Sequence, residues 1–159
     1  MKQEKTNAMR QLDREKLPYQ VHSYAGGALS GTEVARALGQ DAACVFKTLV
    51  TVGRTGGHYV FMVPVAQELD LKKAACAVGE KSVAMLPQKE LLPLTGYVHG
   101  GCSPIGMKKQ FPTVIDATAA DCERVFFSAG RIGLQIETAL QSLEQVVPLR
   151  CCDITAEAS

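Results

Sequence analysis

A lysine inside an apolar strand is the first residue of this sequence that could do chemistry. Lys47 lies in the run Val45–Val50, and a strand as apolar as this is normally buried on at least one face. Lysine is almost never fully buried without a partner, so two interpretations are open. The side chain protects a sheet edge from pairing with other chains, or it points into a pocket towards a phosphate, a carboxylate or a developing oxyanion.

Two glycine-rich segments could present main-chain N–H groups to the same kind of oxygen. Gly96–Gly106 and Ser128–Gly133 are rich in a residue that allows positive φ angles and close approach of the backbone. Neither segment spells a Walker loop or the dinucleotide-binding G-x-G-x-x-G. Each is therefore interpreted either as a tight connection or as an anion-binding loop.

Cys102 and Ser103 are candidate nucleophiles within the first of these segments. Cys102 could act with His99 or His22 as its base, but sequence spacing shows neither the base nor an oxyanion hole. Ser103 lacks the G-x-S-x-G context of an acyl-enzyme serine. The histidines and cysteines have no zinc-site spacing, so we expect no metal and no other cofactor.

Charge and cysteine content restrict the partners. Lys plus Arg number 17 and Asp plus Glu number 16, a formal charge of +1. Proteins that hold nucleic acid unaided usually carry a strong positive excess, so we expect any such contact to be local, weak or assisted by another protein. No C-x-x-C motif occurs, and we expect the cysteines to be reduced and mostly structural: Cys44, Cys76, Cys102, Cys122, Cys151 and Cys152.

Hydropathy predicts a cytoplasmic protein with no membrane partner. No apolar run reaches the roughly 20 residues of a membrane helix. The segment Met1–Leu17 is charged and lacks the apolar stretch of a secretory signal.

Short helices and short strands must position these residues. We expect helices at Thr6–Lys16, from a Ser30 capping box to Leu38, at Leu71–Val78, from Pro87 to Leu91 or Leu92, and after Ser142. We expect strands at Tyr19–Tyr24, Cys44–Val52, Tyr59–Val65, Ser82–Leu86, Thr113–Asp116, Val125–Ser128, Gly133–Ile136 and Leu149–Ile154, with a hairpin between the second and third. The 159 residues thus predict one α+β or mixed α/β domain on a curved, partly antiparallel sheet.

Four motifs occur in an order and at distances that resemble one family. They are Lys47-Thr48, Pro64–Ala66 with Leu69–Lys73, Thr95–Tyr97 with Gly100–Gly106, and Ser128–Gly130 with Gly133-Leu134. From about His22 to the last helix the chain is similar to the YbaK/EbsC family of aminoacyl-tRNA editing proteins, specifically the Cys-tRNA(Pro) deacylases. The chain is therefore expected to form one editing domain over residues 1–159, which includes the N-terminal helix expected within residues 1–17. The resemblance implies a barrel-like mixed sheet flanked by helices. It also implies kinship with the editing domain of bacterial prolyl-tRNA synthetases.

The resemblance implies removal of cysteine mischarged on tRNA(Pro). Lys47 would be the catalytic residue, orienting the terminal adenosine and the acyl group, while the substrate thiol attacks its own ester and leaves as a thiolactone. The enzyme would bind mainly the acylated 3′ end of the tRNA, and prolyl-tRNA synthetase would supply the specificity for tRNA(Pro). The substrate-binding residues implied are Tyr24, Ser30, Thr48, Gly100, Gly101, Ser103, Ser128, Gly130 and Gln135.

Two positions depart from the family pattern. Members often carry Asp where Gln135 stands and Phe where Ser30 stands. Glutamine forms hydrogen bonds but cannot act as a general base, so the amino-acid preference could be shifted. Two other functions stay open: a non-catalytic module that senses a nucleotide or aminoacyl group, and an unrelated thiol hydrolase.

Overall fold

Two β-sheets form the framework that carries the candidate residues. The structure is a computed structural model that describes residues 5–25 and 30–156, and the loop expected at Gly26-Gly27 lies outside these ranges. The strands are β1 (Gln20–Ser23), β2 (Phe46–Gly53), β3 (His58–Pro64), β4 (Val83–Met85), β5 (Thr113–Asp116), β6 (Val125–Ser128), β7 (Leu134–Thr138) and β8 (Leu149–Cys152). The helices are α1 (Asn7–Arg14), α2 (Gly31–Leu38), α3 (Leu71–Val78), α4 (Gln88–Thr95) and α5 (Leu140–Val146), with 3₁₀ turns at Ala42–Cys44 and Ala117–Asp121.

The larger sheet has five strands in the order β4-β2-β3-β5-β8. Strands β2 and β3 form the predicted hairpin, with Phe46 opposite Pro64 and Val52 opposite His58. Strand β4 pairs antiparallel with β2, whereas β5 pairs parallel with both β3 and β8. The apolar, β-branched character of β2 and β3 suits the centre of such a sheet.

The smaller sheet is antiparallel, in the order β1-β7-β6. It meets the larger sheet at a parallel bridge between Val45 and Phe126, which are buried together with Ala35. The predicted mixed α/β class is confirmed. The single curved sheet that was expected is divided into two, and these are not closed into a barrel.

The main core lies between the two sheets and is covered by α1 and α5. Its largest fully buried members include Leu12, Phe46, Met62, Ile115, Phe127, Ile136 and Leu143. A second cluster packs α3 onto the opposite face of the larger sheet. The strands that border the candidate site are therefore held by apolar side chains on both faces.

Local capping fixes the ends of two helices. The Ser30 hydroxyl accepts a hydrogen bond from the Glu33 N–H at 3.3 Å, and the Glu33 carboxylate accepts one from the Ser30 N–H at 3.1 Å. This is the predicted capping box, and Gly39 ends α2 with φ +67°. Asp70 likewise accepts hydrogen bonds at the start of α3, which ends at Gly79.

Two helix boundaries differ from those expected. Helix α4 continues through Pro93 to Thr95, and Pro87 is its N-cap rather than its first residue. Helix α5 starts at Leu140, so Ser142 lies inside it and is buried instead of capping it. In α5 the apolar packing of Leu143 and Val146 determines the register, although the N-cap Ala139 offers no side-chain hydrogen bond.

The cysteines also depart from expectation. Cys44 and Cys122 form a disulfide across a sequence separation of 78, so the expectation of reduced thiols is wrong for this pair. Cys102 is buried as expected, whereas Cys76 and Cys151 are exposed. No local sequence signal predicts this disulfide, because its two cysteines are distant in sequence and come together only in the folded chain.

None of the helices in the described ranges has the length and apolar character that a membrane span needs.

Candidate active site

A pocket opens where the two sheets diverge, with a cavity volume of about 240 Å³. Strand β2 forms one wall, β6 and β7 form another, and the start of α2 and the segment after α4 complete it. The polar and titratable side chains that line it are Tyr24, Ser30, Lys47, Thr48, His99, Cys102, Ser128 and Gln135. A concave site with apolar walls and a few convergent polar groups is typical of a small-ligand pocket.

Lys47 places a cation at this pocket. It lies near the start of β2 opposite Val63, and 27% of its side chain is exposed. Its ammonium nitrogen is 3.5 Å from the carboxylate of Glu68, whose side chain is 84% exposed. A pair this exposed is weak, so the Lys47 ammonium remains available to an anionic or carbonyl oxygen in the pocket.

The β2 backbone has an open edge at the same place. Val45 accepts a hydrogen bond from Val65 on the β3 side, whereas Val50 accepts one from Leu86 on the opposite side. Because N–H and C=O directions alternate along a strand, the peptide groups of Thr48 share the direction of Val50, away from β3. Strand β4 pairs with β2 only beyond Val50, so no strand of the described chain covers Thr48 on that edge.

Two oxygens in the pocket wall lack partners. Among the described residues, the buried side-chain nitrogen and oxygen atoms without a hydrogen bond are Thr48 Oγ1 and Gln135 Oε1. Gln135 is only 7% exposed, and both residues line the pocket. A buried polar atom left unpaired costs about 1–3 kcal/mol, so a ligand that hydrogen-bonds to these groups would recover that cost.

Tyr97 holds the two glycine segments against one another. Its hydroxyl donates a hydrogen bond to the Ile105 carbonyl at 2.7 Å. A Cβ at Gly130 would lie 2.8 Å from the Tyr97 ring, and one at Gly106 would lie 2.9 Å from its hydroxyl. Glycine is therefore required at both contacts. The packing of Gly130 against Tyr97 holds the segment that carries Ser128 in place at the pocket wall.

Seven of the predicted site residues lie at the pocket: Tyr24, Ser30, Lys47, Thr48, Gly100, Ser128 and Gln135. Three others do not line it. Gly101 packs against the backbone of Ile132, and Ser103 is fully buried and accepts a hydrogen bond from the Ile105 N–H. Gly130 donates its N–H to the Ser128 hydroxyl at 3.1 Å. These three residues shape the loops behind the pocket.

Cys102 and His99 both line the pocket, but the thiol is unsuited to nucleophilic attack. Cys102 is 6% exposed, and burial raises the pKa of its thiol to about 12. A thiol with that pKa carries almost no thiolate at neutral pH. His22, the other candidate base, is directed to the carboxylate of Glu137, with its Nε2 atom at 2.7 Å.

An apolar part of the pocket wall was not expected from the sequence. Val34, Val65 and Leu91 line the pocket beside the polar groups. Leu91 and Val65 were expected within a helix and at the end of a strand, but no local sequence signal indicates that these side chains face the pocket. Within the described ranges, His, Cys, Asp and Glu form no group of three or more that could hold a metal ion.

Comparison with known proteins places the chain in a family. A family model for the aminoacyl-tRNA editing domain matches residues 27–146. A protein of Enterococcus faecalis, described as a candidate Cys-tRNA(Pro)/Cys-tRNA(Cys) deacylase, EbsC, is 46% identical over 157 residues, covering 98% of this chain and 96% of that protein.

Two solved structures share the fold. One, described as a candidate trans-editing enzyme for prolyl-tRNA synthetase, is 24% identical with a TM-score of 0.83 and covers 98% of this chain and 100% of its own. Another, described as a hypothetical protein, is 20% identical with a TM-score of 0.87 and covers 95% of this chain and 100% of its own. The resemblance seen in the sequence is confirmed, and the chain belongs to the aminoacyl-tRNA editing domain family.

Proposed function

We propose that this protein deacylates cysteine mischarged on tRNA(Pro), and also accepts Cys-tRNA(Cys). The substrate assignment comes from the 46% identical Enterococcus protein, which is described as a candidate deacylase of these two aminoacyl-tRNAs. The observation that carries the proposal is the position of Lys47 at a pocket that also holds two unpaired buried oxygens. Such a site can orient an acylated ribose without supplying a nucleophile of its own.

The proposed reaction uses the thiol of the substrate. Its sulfur attacks the carbonyl carbon of its own ester, a carbon–sulfur bond forms, and the carbon–oxygen bond to the ribose breaks. The ribose oxygen takes the thiol proton, which releases intact tRNA and cysteine thiolactone, and water then opens the thiolactone to cysteine. This route lowers the activation barrier, because an intramolecular nucleophile needs only the correct conformer of the substrate.

Lys47 stabilises the developing negative charge in this proposal. Its ammonium can donate to the carbonyl oxygen as that oxygen becomes an oxyanion, and removing one such donor typically costs about 10²–10³ in rate. The high pKa of the Cys102 thiol favours the substrate thiol over a protein thiol as nucleophile. Alanine and proline esters carry no thiol and would be spared.

The acylated 3′ end is the proposed point of contact. The Thr48 N–H and C=O on the open edge of β2 form a donor and acceptor pair suited to a nucleoside. The formal charge of +1 argues against a wide tRNA footprint, so we propose that prolyl-tRNA synthetase supplies tRNA selection. We propose that the deacylation takes place in the cytoplasm and requires no metal.

A panel of aminoacyl-tRNAs tests the function. Chelator-treated protein should remove cysteine from tRNA(Pro) and tRNA(Cys) and leave Ala-tRNA(Pro) and Pro-tRNA(Pro) intact. S-methylation of the cysteinyl ester should abolish cleavage, because the sulfur is no longer a usable nucleophile. Cys-tRNAs that are bound but never cleaved would indicate a non-catalytic module, and rapid cleavage of another aminoacyl ester would indicate that Gln135 shifts the preference.

Three variants test the roles of the side chains. Lys47→Ala should lower kcat/KM by about 10²–10³, the usual effect of removing one oxyanion donor. Lys73→Ala is the matched control, because Lys73 lies on α3, forms an ion pair with Asp153 and does not line the pocket. Cys102→Ala should keep its activity. Loss of activity in Cys102→Ala with retention in Lys47→Ala would establish a cysteine nucleophile instead.

A further inference from the structure

The Cys44–Cys122 disulfide lies directly before both strands that carry the pocket. Cys44 ends the 3₁₀ turn that leads into β2, three residues before Lys47. Cys122 follows the 3₁₀ turn that leads into β6, which carries Ser128. The bond therefore ties together the entry points of the two opposing walls.

The same place is the junction of the two sheets. Among the described residues, the bridge between Val45 and Phe126 is the main-chain pairing that connects the larger sheet to the smaller one. The buried cluster around it is small, consisting of Ala35, Val45 and Phe126 with a few half-buried neighbours. The main core between the sheets holds them together as a whole, and the covalent link beside this bridge fixes the separation of β2 and β6 where the two strands enter the pocket.

Both sulfur-bearing residues are only half-buried, unlike Cys102, which is 6% exposed. Because neither residue is fully buried, we expect small thiols and disulfides to reach the bond. We infer that Cys44 and Cys122 form a reversible redox site that controls the pocket: the disulfide form holds β2 against β6, and the dithiol form lets these walls separate. The activity part of this inference rests on the proposed function, whereas its structural part does not.

The chemistry balances with a low-molecular-weight disulfide such as glutathione disulfide as oxidant. One protein thiolate attacks the oxidant, forming a mixed disulfide and releasing one thiol. The second protein thiolate then displaces the other thiol, so the protein loses two electrons and two protons, and the oxidant becomes two thiols. An excess of small thiol reverses both steps.

To test this, the full chain is prepared in the disulfide form with glutathione disulfide and in the dithiol form with a small thiol. The oxidant or the thiol is then removed. Alkylation and mass spectrometry should show four free thiols after glutathione disulfide and six after reduction. Reduction should speed amide exchange in residues 45–48 and 125–128 about tenfold, leaving β5 and β8 unchanged. The kcat/KM for Cys-tRNA(Pro) should fall about tenfold, as for a small misplacement of a catalytic group.

Matched variants assign the effect to this pair. The double variant Cys44→Ser/Cys122→Ser should show the exchange rates and kcat/KM of the reduced protein in either redox buffer. The double variant Cys76→Ser/Cys151→Ser, which removes two exposed thiols away from the pocket, should respond like the unmodified protein.

Six free thiols after oxidation, or equal exchange at the junction in both states, would overturn the inference. So would an unchanged kcat/KM between two states that differ in exchange. If neither state cleaves any aminoacyl-tRNA, the proposed function fails, and amide exchange still decides whether the disulfide holds the junction.

Discussion

At the residue scale, two threonines of the same strand, β2, differ in whether their hydroxyl has a hydrogen-bond partner. Comparing them gives the free-energy cost of an unpaired hydroxyl. Thr48 Oγ1 has no partner, whereas Thr51 Oγ1 donates to the Tyr59 carbonyl at 3.0 Å and Thr51 is fully buried. We expect Thr48→Val to stabilise the fold by about 1 kcal/mol, because it removes an unsatisfied buried oxygen. Thr51→Val should destabilise the fold by up to about 1 kcal/mol because it removes a buried side-chain hydrogen bond, although the Tyr59 carbonyl keeps its main-chain partner in the β2–β3 ladder. Urea denaturation measures both.

The same pair distinguishes stability from function. If Thr48 Oγ1 is kept unpaired to bind substrate, Thr48→Val should raise KM for Cys-tRNA(Pro) while the protein becomes more stable. Thr51→Val should leave KM unchanged, because Thr51 does not line the pocket. A Thr48→Val protein that is less stable than the parent, or that binds as before, would contradict this use of the hydroxyl.

At this scale, a site residue can be predicted from the sequence when its chemistry is unusual for its surroundings. Lys47 could be singled out because a cation in an apolar strand requires an explanation, and it lies at the pocket. Ser103 and Gly130 could not be separated from Gly100 in the same way. Whether a loop residue faces a cavity or the loop behind it depends on contacts such as those of Tyr97, which are distant in sequence.

At the element scale, the contact between Tyr97 and the second glycine segment predicts that a side chain at Gly130 destabilises the fold. Gly130 has φ +101° and no space for a Cβ, whereas Gly39 has φ +67° and nothing within 4 Å of the Cβ position. Gly39→Ala therefore reports the backbone cost alone, about 1–2 kcal/mol. Gly130→Ala adds a clash with the Tyr97 ring, and overpacking of this kind costs a further 1–3 kcal/mol.

Chemical denaturation compares these two variants directly. The Gly130→Ala protein should be the less stable of the two. Its kcat/KM should also fall, because the Gly130 N–H shapes the loop that presents the Ser128 hydroxyl. Equal stabilities would show that the ring moves away at little cost, and that Tyr97 does not hold the two segments together.

Helices with a side-chain cap were predicted correctly, whereas the local signals at Pro87 and Ser142 were overridden by packing. The Ser30 capping box and the Asp70 cap satisfy helix ends through neighbours three residues away, so the sequence alone reveals them. The start of α5 depends instead on Leu143 and Val146 entering the main core. The end of α4 lies beyond a proline, against the usual preference.

At the scale of the whole molecule, the pattern of short helices and strands predicted the mixed α/β class, but not its division into two sheets. That division depends on pairings between distant segments, such as β1 with β7 and Val45 with Phe126. The disulfide belongs to the same level, since its cysteines are 78 positions apart. Long-range pairings of this kind leave no periodic pattern within a single segment, so the sequence does not predict them.

The balance of charge over the molecule predicts how deacylation responds to salt. Because 17 Lys and Arg are balanced by 16 Asp and Glu, the molecule has almost no net positive excess to attract phosphates. With about one or two phosphate contacts, the slope of log kcat/KM against log salt should be about −1 to −2. Single-turnover deacylation of Cys-tRNA(Pro) over a KCl series measures this slope, and a cysteinyl-adenosine ester, which lacks phosphates, should give a slope near zero. A slope steeper than about −5 would mean that the protein holds the tRNA body across a wide basic surface, and it would remove the reason for invoking a synthetase to select the tRNA.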